Sequence, residues 1–254
     1  MSWDPGVYMA FGNERTRPAF ELAARVPVER ARVVVDLGCG PGNSTAALAQ
    51  RWTDARLIGV DSSGEMLAKA KASGVRAVWV QADVAKWSPS EPVSVIYSNA
   101  TFQWVDNHMP IFVRLLRAVE EGGALAVQMP RNFDAPSHVL LRETARDGPW
   151  ANLLRPLERA KPVAEPQEYY AALAPHARHL DIWETEYLQA LEGEDAVFKW
   201  VSGTALIPYR EALTVGMRED FLAAYRERLS RGYPRRADGR TLFPFKRIFI
   251  IAQR

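Results

Sequence analysis

An α/β fold is predicted, with a seven-stranded, mostly parallel sheet, an antiparallel last strand, helices on both faces and a helical insertion or lid. Three observations predict it. Short β-branched runs alternate with helix-period segments over roughly the first 130 residues. The first run ends in an acid followed by alternating glycines. Polar residues suited to ligand contact stand just past the ends of four successive runs, and open parallel sheets bind ligands outside the carboxyl ends of their strands.

The first run and its turn, Val33-Val34-Val35-Asp36-Leu37-Gly38-Cys39-Gly40-Pro41-Gly42-Asn43-Ser44-Thr45, read as buried strand, tight turn and helix, with Ala46, Leu48 and Trp52 as apolar helix positions. Glycines let a ligand approach the backbone, and a helix N-terminus offers unpaired N–H groups. The dinucleotide fingerprint would place glycine where Asn43 stands, which disfavours a nicotinamide cofactor. Ahead of this unit, Tyr8, Phe11 and Arg15 recur at near-helical spacing, Arg17-Pro18 follows, and a helix is expected over 21–26. This segment either covers a face of the sheet or caps the cofactor pocket from outside.

Arg56 to Asp61 is the second strand. Its terminal acid lies roughly 20 residues past the glycines, the offset at which a carboxylate meets ribose hydroxyls. Asp61, Ser62 or Ser63 could equally cap the helix 64–72. Arg76 to Val80 is the third strand, followed by Asp83, which is either a plain loop acid or an acceptor for the exocyclic amine of adenine. Val93 to Tyr97 is the fourth, leading to Ser98-Asn99-Ala100-Thr101-Phe102-Gln103-Trp104. Asp106 or Asn107 then caps a helix carrying Ile111, Phe112, Leu115, Leu116 and Val119, which Glu121-Gly122-Gly123 stops. Ala124 to Gln128 is the fifth strand.

The rhythm then breaks. Residues 131–176 carry six prolines and read as an insertion that buries Trp150, Leu153, Leu154, Leu157 and Tyr169. A strand over 178–190, helices over 194–203 and 219–231, and a strand over 245–252 follow. One domain spanning 1–254 is expected, with its core at about 30–130 and 176–254 and helical insertions at about 131–176 and 194–232 over the active site.

Composition fits an ordinary globular protein, with 48% hydrophobic and 24% charged residues. A net charge of +2 gives no argument for nucleic acid. The arginines at 226, 228, 231, 235, 236 and 240 form the one basic cluster and read as a solvated helix and loop. No apolar run approaches the ~20 residues of a membrane span, and no secretory signal is visible. Cys39 is the only cysteine, which excludes an intrachain disulfide and a cysteine-rich zinc site. No metal, membrane or nucleic-acid partner is expected. Localisation is expected to be cytoplasmic and the oligomeric state monomeric. The eight tryptophans serve as core or as pocket walls.

The acid-first glycine motif from Asp36 to Gly42 resembles motif I of S-adenosylmethionine-dependent methyltransferases with a Rossmann-like fold. Trp3-Asp4-Pro5, Tyr8, Phe11, Glu14-Arg15-Thr16-Arg17-Pro18, Ser98-Asn99-Ala100 with Gln103-Trp104, and Gln128-Met129-Pro130 extend the likeness through most of the chain. With these the chain resembles the trans-aconitate 2-methyltransferase family. The resemblance implies methyl transfer from S-adenosylmethionine to a carboxylate of trans-aconitate, giving a monomethyl ester and S-adenosylhomocysteine. A neighbouring pattern belongs to the enzyme that methylates malonyl-carrier protein. A non-catalytic S-adenosylmethionine-binding module and a nucleic-acid methyltransferase are further alternatives. The latter is disfavoured because Asn99-Ala100-Thr101-Phe102 lacks the prolines that exocyclic-amine methylation would want there.

Cofactor contacts are expected from Asp36, Gly38, Gly40, Asp61, Ser62 and Met66. Further contacts are expected from Asp83, Val84, Asn99, Ala100, Gln103 and Trp104, and from Tyr8 and Arg17. A carboxylate acceptor is already ionised at neutral pH, so no general base is expected. A tricarboxylate needs cations, and arginine binds carboxylates through two parallel hydrogen bonds. Arg131, Arg210 and Arg17 are candidates for this clamp, and Lys246 and Arg247 of the last strand either join it or face solvent. Tyr209, Trp200, His138, Asn132 and Trp104 are weaker pocket candidates.

Overall fold

The computed structural model describes residues 16–157 and 161–254. Its strands are β1 (Val33–Leu37), β2 (Arg56–Asp61), β3 (Val78–Gln81), β4 (Val93–Asn99), β5 (Val119–Pro130), β6 (His179–Glu192) and β7 (Arg240–Gln253). They form one seven-stranded sheet in the order β3-β2-β1-β4-β5-β7-β6. β1 pairs in parallel with β2 and β4, β2 with β3, and β4 with β5. β7 runs antiparallel to β5: Arg254 exchanges bonds with Gly122 and Gly123, and the Arg131 N–H donates to the Lys246 carbonyl. β6 and β7 are antiparallel as well, with Arg178 bonded to Gln253 and Arg240 to Glu192. The expected mostly parallel sheet with antiparallel closing strands is therefore present.

The chain divides into two compact units. The first holds the residues up to Pro130 with Pro162–Thr185 and Ile248–Arg254; the second holds Arg131–Lys161 and Glu186–Arg247. In the first unit every residue of β1 is buried, as a central strand covered on both faces requires. The helix α1 (Arg17–Arg25) starts four residues earlier than the sequence suggests, because Pro18 sits in its first turn, where a missing N–H is harmless. It buries Phe20, Leu22 and Ala23, and the Tyr97 hydroxyl donates to the Ala19 carbonyl at 2.6 Å. α2 (Asn43–Arg51) follows the glycine turn, and α3 (Gly64–Ala72) is capped by Ser63, whose hydroxyl accepts from the Met66 N–H.

β3 is one of the two edge strands and starts two residues later than expected, leaving Val78 53% exposed. α4 (Met109–Arg117) starts after His108 rather than Asp106 or Asn107 and buries Phe112, Leu115 and Leu116. The glycines at 122 and 123 do not end that helix. They lie within β5, where the register against β4 shifts between Val93 and Val95, so the pair absorbs a bulge.

The second unit contains α5 (Pro136–Arg146), α6 (Ala151–Leu154), α8 (Ala196–Ser202), α9 (Ile207–Ala212) and α10 (Val215–Gly232). α9 has no clear sequence signal, being short and opened by Pro208. The core here is aromatic. Trp150 meets Phe221 edge-on at 5.3 Å, Tyr209 stacks on Phe221 at 5.9 Å, and Phe243 packs against Tyr233 and Phe245. Leu154 is buried as expected, whereas Leu153 is 49% exposed.

The proline-rich stretch does not act as one insertion. α7 (Pro166–Leu173) belongs to the first unit, where Tyr169 stacks on His108 at 5.7 Å and lies 6.0 Å from the Phe112 ring. His108 Nδ1 lies 3.1 Å from the Val105 carbonyl and Nε2 lies 2.7 Å from the Tyr169 hydroxyl. Those partners place the proton on Nδ1, so Nε2 accepts from the phenol. The same phenol oxygen accepts from the Ala164 N–H at 3.2 Å. Tyr169→Phe would leave both groups without this partner, and we expect it to cost about 1–3 kcal/mol in urea unfolding of the full chain. A midpoint equal to wild type would show that the hydroxyl contributes nothing.

Candidate functional site

The carboxyl ends of β1, β2 and β4 in the first unit carry the expected polar groups. Asp36 is 1% exposed, and its Oδ2 accepts from the Ser44 and Thr45 hydroxyls at 2.7 Å each. Its Oδ1 is also buried and has no hydrogen-bond partner among the described residues. The carboxylate ties the first turn of α2 to the end of β1 and so holds the glycine turn between them. Burial pushes its carboxyl up to about 6; the two hydroxyl bonds oppose the shift and the Asp61 charge adds to it.

Gly38 has φ +72°, and a Cβ there would lie 2.1 Å from the Thr101 hydroxyl oxygen. Both conformation and close packing against the loop after β4 thus require glycine. Gly40, at φ +53°, differs: no atom would lie within 4 Å of its Cβ, so open space stands beside the backbone. The Gly40 N–H donates to Asp61 Oδ2 and the Ser63 N–H to Asp61 Oδ1, both at 2.9 Å. Each carboxylate oxygen still has lone-pair capacity for a further donor. Asp61 is half-buried, whereas Ser62 is exposed and Met66 is 37% exposed on α3.

Asp83 is exposed, with Oδ1 accepting from the Ala85 N–H at 2.9 Å, and Val84 beside it is buried. Asn99 ends β4, and its Oδ1 is buried with no hydrogen-bond partner among the described residues. Ala100 has φ +56°, held by its N–H donating to the Gln128 carbonyl at 2.9 Å and by Gln103 Nε2 donating to its own carbonyl at 2.6 Å. A non-glycine residue in this region stores strain, which concentrates at functional sites. Trp104 is 54% exposed. Arg17 is bound to Glu21 at 2.6 Å, and Tyr8 lies outside the described residues.

The space at Gly40, the half-buried diol-type acceptor Asp61 and the unpartnered Asn99 oxygen fit an adenosyl cofactor with a ribose and an ammonium group. Thr101, Ser44 and Thr45 escaped the sequence reading because they act on the glycine turn rather than on a ligand. The hydroxyl pair directly after Asn43 was the signal for them.

Apart from Arg17 and Trp104, the expected acceptor residues lie in the second unit and separate there. Arg131 lines a cavity of 690 Å³ together with Asn132 and Lys246. Tyr209 and Trp200 pack into the aromatic core instead. Arg210 is exposed on α9. His138 packs against Phe133 at 5.2 Å, and burial with the Arg142 charge pushes its imidazole down to about 4. It is neutral at pH 7 and brings no positive charge to a carboxylate. Lys246 lines the cavity rather than pointing to solvent, and Arg247 is 4% exposed. Of the basic cluster, Arg226, Arg228, Arg231 and Arg240 pair with Asp195, Asp147, Glu227 and Glu192, respectively. Those pairs offset four of the charges that a nucleic acid would need.

Fold and site together describe a methyltransferase of the adenosyl-cofactor class, and residues 34–123 match the family model described as a methyltransferase domain. Two solved structures share the fold. The YcgJ protein of Bacillus subtilis has TM-score 0.59 and 16% identity, covering 94% of this chain and 99% of that one. A putative methyltransferase of Bacillus halodurans has TM-score 0.57 and 14% identity, covering 94% and 98%. Sequence relatives are far more similar. The trans-aconitate 2-methyltransferase of Azoarcus sp. is 49% identical over 253 residues, covering 100% of this chain and 99% of the relative. That of Rhodopseudomonas palustris is 45% identical over 251 residues, covering 98% of each. The chain belongs to the trans-aconitate 2-methyltransferase family. No helix among the described residues is long and apolar enough to cross a membrane.

The raised Asp36 value sets a pH test. A carboxyl whose folded value exceeds its ordinary 3.8 favours the protonated fold. Its contribution is full below about pH 4 and is lost as pH rises through about 6, leaving a penalty of roughly 3 kcal/mol at neutral pH. Asp36→Asn lacks this titration. Urea unfolding of both proteins should show the variant gaining roughly 3 kcal/mol on wild type between about pH 4 and about pH 7. A stability difference independent of pH would mean that Asp36 titrates normally.

Proposed function

We propose that the protein transfers a methyl group from S-adenosylmethionine to one carboxylate oxygen of trans-aconitate. The products are a monomethyl ester and S-adenosylhomocysteine. The observation that carries the acceptor is the 49% identity, over the whole chain, to a relative named for that activity. The observation that supports the cofactor is the open turn at Gly40 beside Asp61 and Asn99.

When bound, S-adenosylmethionine supplies a methyl group on a positively charged sulfur. The remaining work falls to the chain's own groups. Gly38 and Gly40 keep side chains out of the turn, and Asp61 accepts from the ribose hydroxyls through the lone pairs that the Gly40 and Ser63 N–H groups leave open. Asp83 accepts from the adenine amine, with Val84 against the ring, and Asn99 Oδ1 accepts from the ammonium group. Trp104, exposed after β4, and Met66 on α3 supply apolar walls.

The acceptor needs no deprotonation, because a carboxylate is ionised well below neutral pH. One C–O bond forms as one C–S bond breaks, and no proton moves. Opposite charges cancel in this step, so exclusion of water from the reacting atoms favours it. Positioning therefore carries the catalysis, and no side chain is required as a general base. Arg131 is the residue we assign first to the acceptor, because a planar guanidinium matches a carboxylate with two parallel bonds. We read the enzyme as cytoplasmic and monomeric, acting on a free small molecule.

A methyl-transfer assay with labelled S-adenosylmethionine tests the reading against trans-aconitate, citrate and malonyl-carrier protein, with products identified by mass spectrometry. We expect a monomethyl ester of trans-aconitate and, at saturating S-adenosylmethionine, a turnover rate without the rising limb that deprotonation of a general base would give. Turnover only on malonyl-carrier protein would remove the acceptor. Asp61→Ala should weaken S-adenosylhomocysteine at least tenfold in calorimetry, since hydrogen bonds to a charged group contribute about 1.5–3 kcal/mol. An unchanged affinity would remove Asp61 from the ribose.

A further inference from the structure

We propose that the 690 Å³ cavity of the second unit is a polycarboxylate-binding site in which Lys246 and Arg236 act with Arg131. The identity of its ligand as the methyl acceptor rests on the function proposed above; the presence of an anion site does not. The volume falls within the ~300–1,000 Å³ of small-molecule clefts.

Three cations line this cavity, Arg131, Arg236 and Lys246, against two carboxylates, Asp134 and Glu186. Asp134 is already paired with Lys161 at 2.6 Å, and that bond, opposed only by slight burial, holds its carboxyl below the ordinary value. Arg236 and Lys246 form no ion pair with any described residue. This sets Arg236 apart from its neighbours in sequence, four of which are bound to carboxylates. Lys246 is half-buried at the cavity wall.

Two neutral groups point the same way. Asn132 is 6% exposed and lines the cavity, and its buried side-chain oxygen has no partner among the described residues. It suits a ligand that carries a hydrogen-bond donor, or an anion if the amide is turned over. Tyr233, buried at the wall, accepts from the Ser137 N–H at 3.0 Å, and its own hydroxyl proton has no acceptor among the described residues. A phenol with a spare proton is a ready donor to a carboxylate. Ala135 and Pro136, at the N-terminus of α5, complete this side, where the helix dipole favours negative charge.

The remaining wall comes from alternate residues of two strands, Glu186 and Leu188 of β6 with Leu242, Pro244 and Lys246 of β7. That period of two puts them on one face. Cations at more than one point of the wall suit a ligand with two or three separated carboxylates better than a monoanion. Glu186 disfavours any anion that does not engage several cations at once.

Calorimetry of the full-length protein with trans-aconitate, with and without S-adenosylhomocysteine, tests this. Lys246→Met and Arg236→Gln should each weaken binding about tenfold or more. Glu186→Gln should tighten it severalfold, and Arg231→Gln, an exposed helix position, should leave it unchanged. Thermal midpoints check that the variants are folded. If methyl transfer proceeds on trans-aconitate while KM is unchanged in the Lys246→Met, Arg236→Gln double variant, the cavity proposal falls and the activity stands. If no methyl transfer to trans-aconitate occurs but the protein binds it or citrate, and the double variant loses that binding, the activity falls and the cavity stands. Absence of binding in both conditions, or wild-type affinity in the double variant, overturns the proposal.

Discussion

The buried Asp36 carboxylate is the interaction on which the first unit's candidate site depends. One oxygen receives two hydroxyl protons from the start of α2, so the strand end and the helix start are pinned together across the glycine turn. Everything between them must fit that short span, which forces left-handed backbone at Gly38 and Gly40. The turn in turn presents the Gly40 N–H to Asp61, linking the ends of β1 and β2. The loop after β4 closes on the other side, with Thr101 against Gly38. A buried charge is expensive, and here the cost falls on a group that organises three strand ends.

The first unit was largely legible because its information is local. Strands such as Val33–Leu37 announce themselves by β-branched runs, and Ser63 caps its helix as a serine before Gly64 would. What misled was glycine at 122 and 123. A helix stop and a strand bulge use the same residue for the same conformational reason, and only the pairing of β4 with β5 decides between them. The split of the proline-rich stretch was invisible for a similar reason. Nothing in Tyr169 itself says that its ring will lie on His108 rather than in the aromatic cluster around Phe221.

The second unit shows the limit for charges. Arginines at 226, 228, 231, 235, 236 and 240 look alike in sequence, and their difference lies in carboxylates far along the chain, such as Asp147 and Glu192. Once those pairs are known, what matters is which cations remain unspent and whether they share a wall. Aromatic candidates follow the same logic. Tyr209 and Trp200 are ordinary core groups, because a ring at an apolar helix position is recruited by the nearest cluster before any ligand.

Ala100 carries a quieter consequence. Its left-handed backbone stores about 1–3 kcal/mol of strain, which glycine would relieve. Glycine would also enlarge the unfolded ensemble, by about 0.4–1 kcal/mol. The strain is the larger of the two, so alanine lowers net stability here and adds stiffness. With alanine, the loop from Asn99 to Trp104 has few alternative shapes to visit, so a ligand settling against it meets a surface whose ordering was completed when the chain folded.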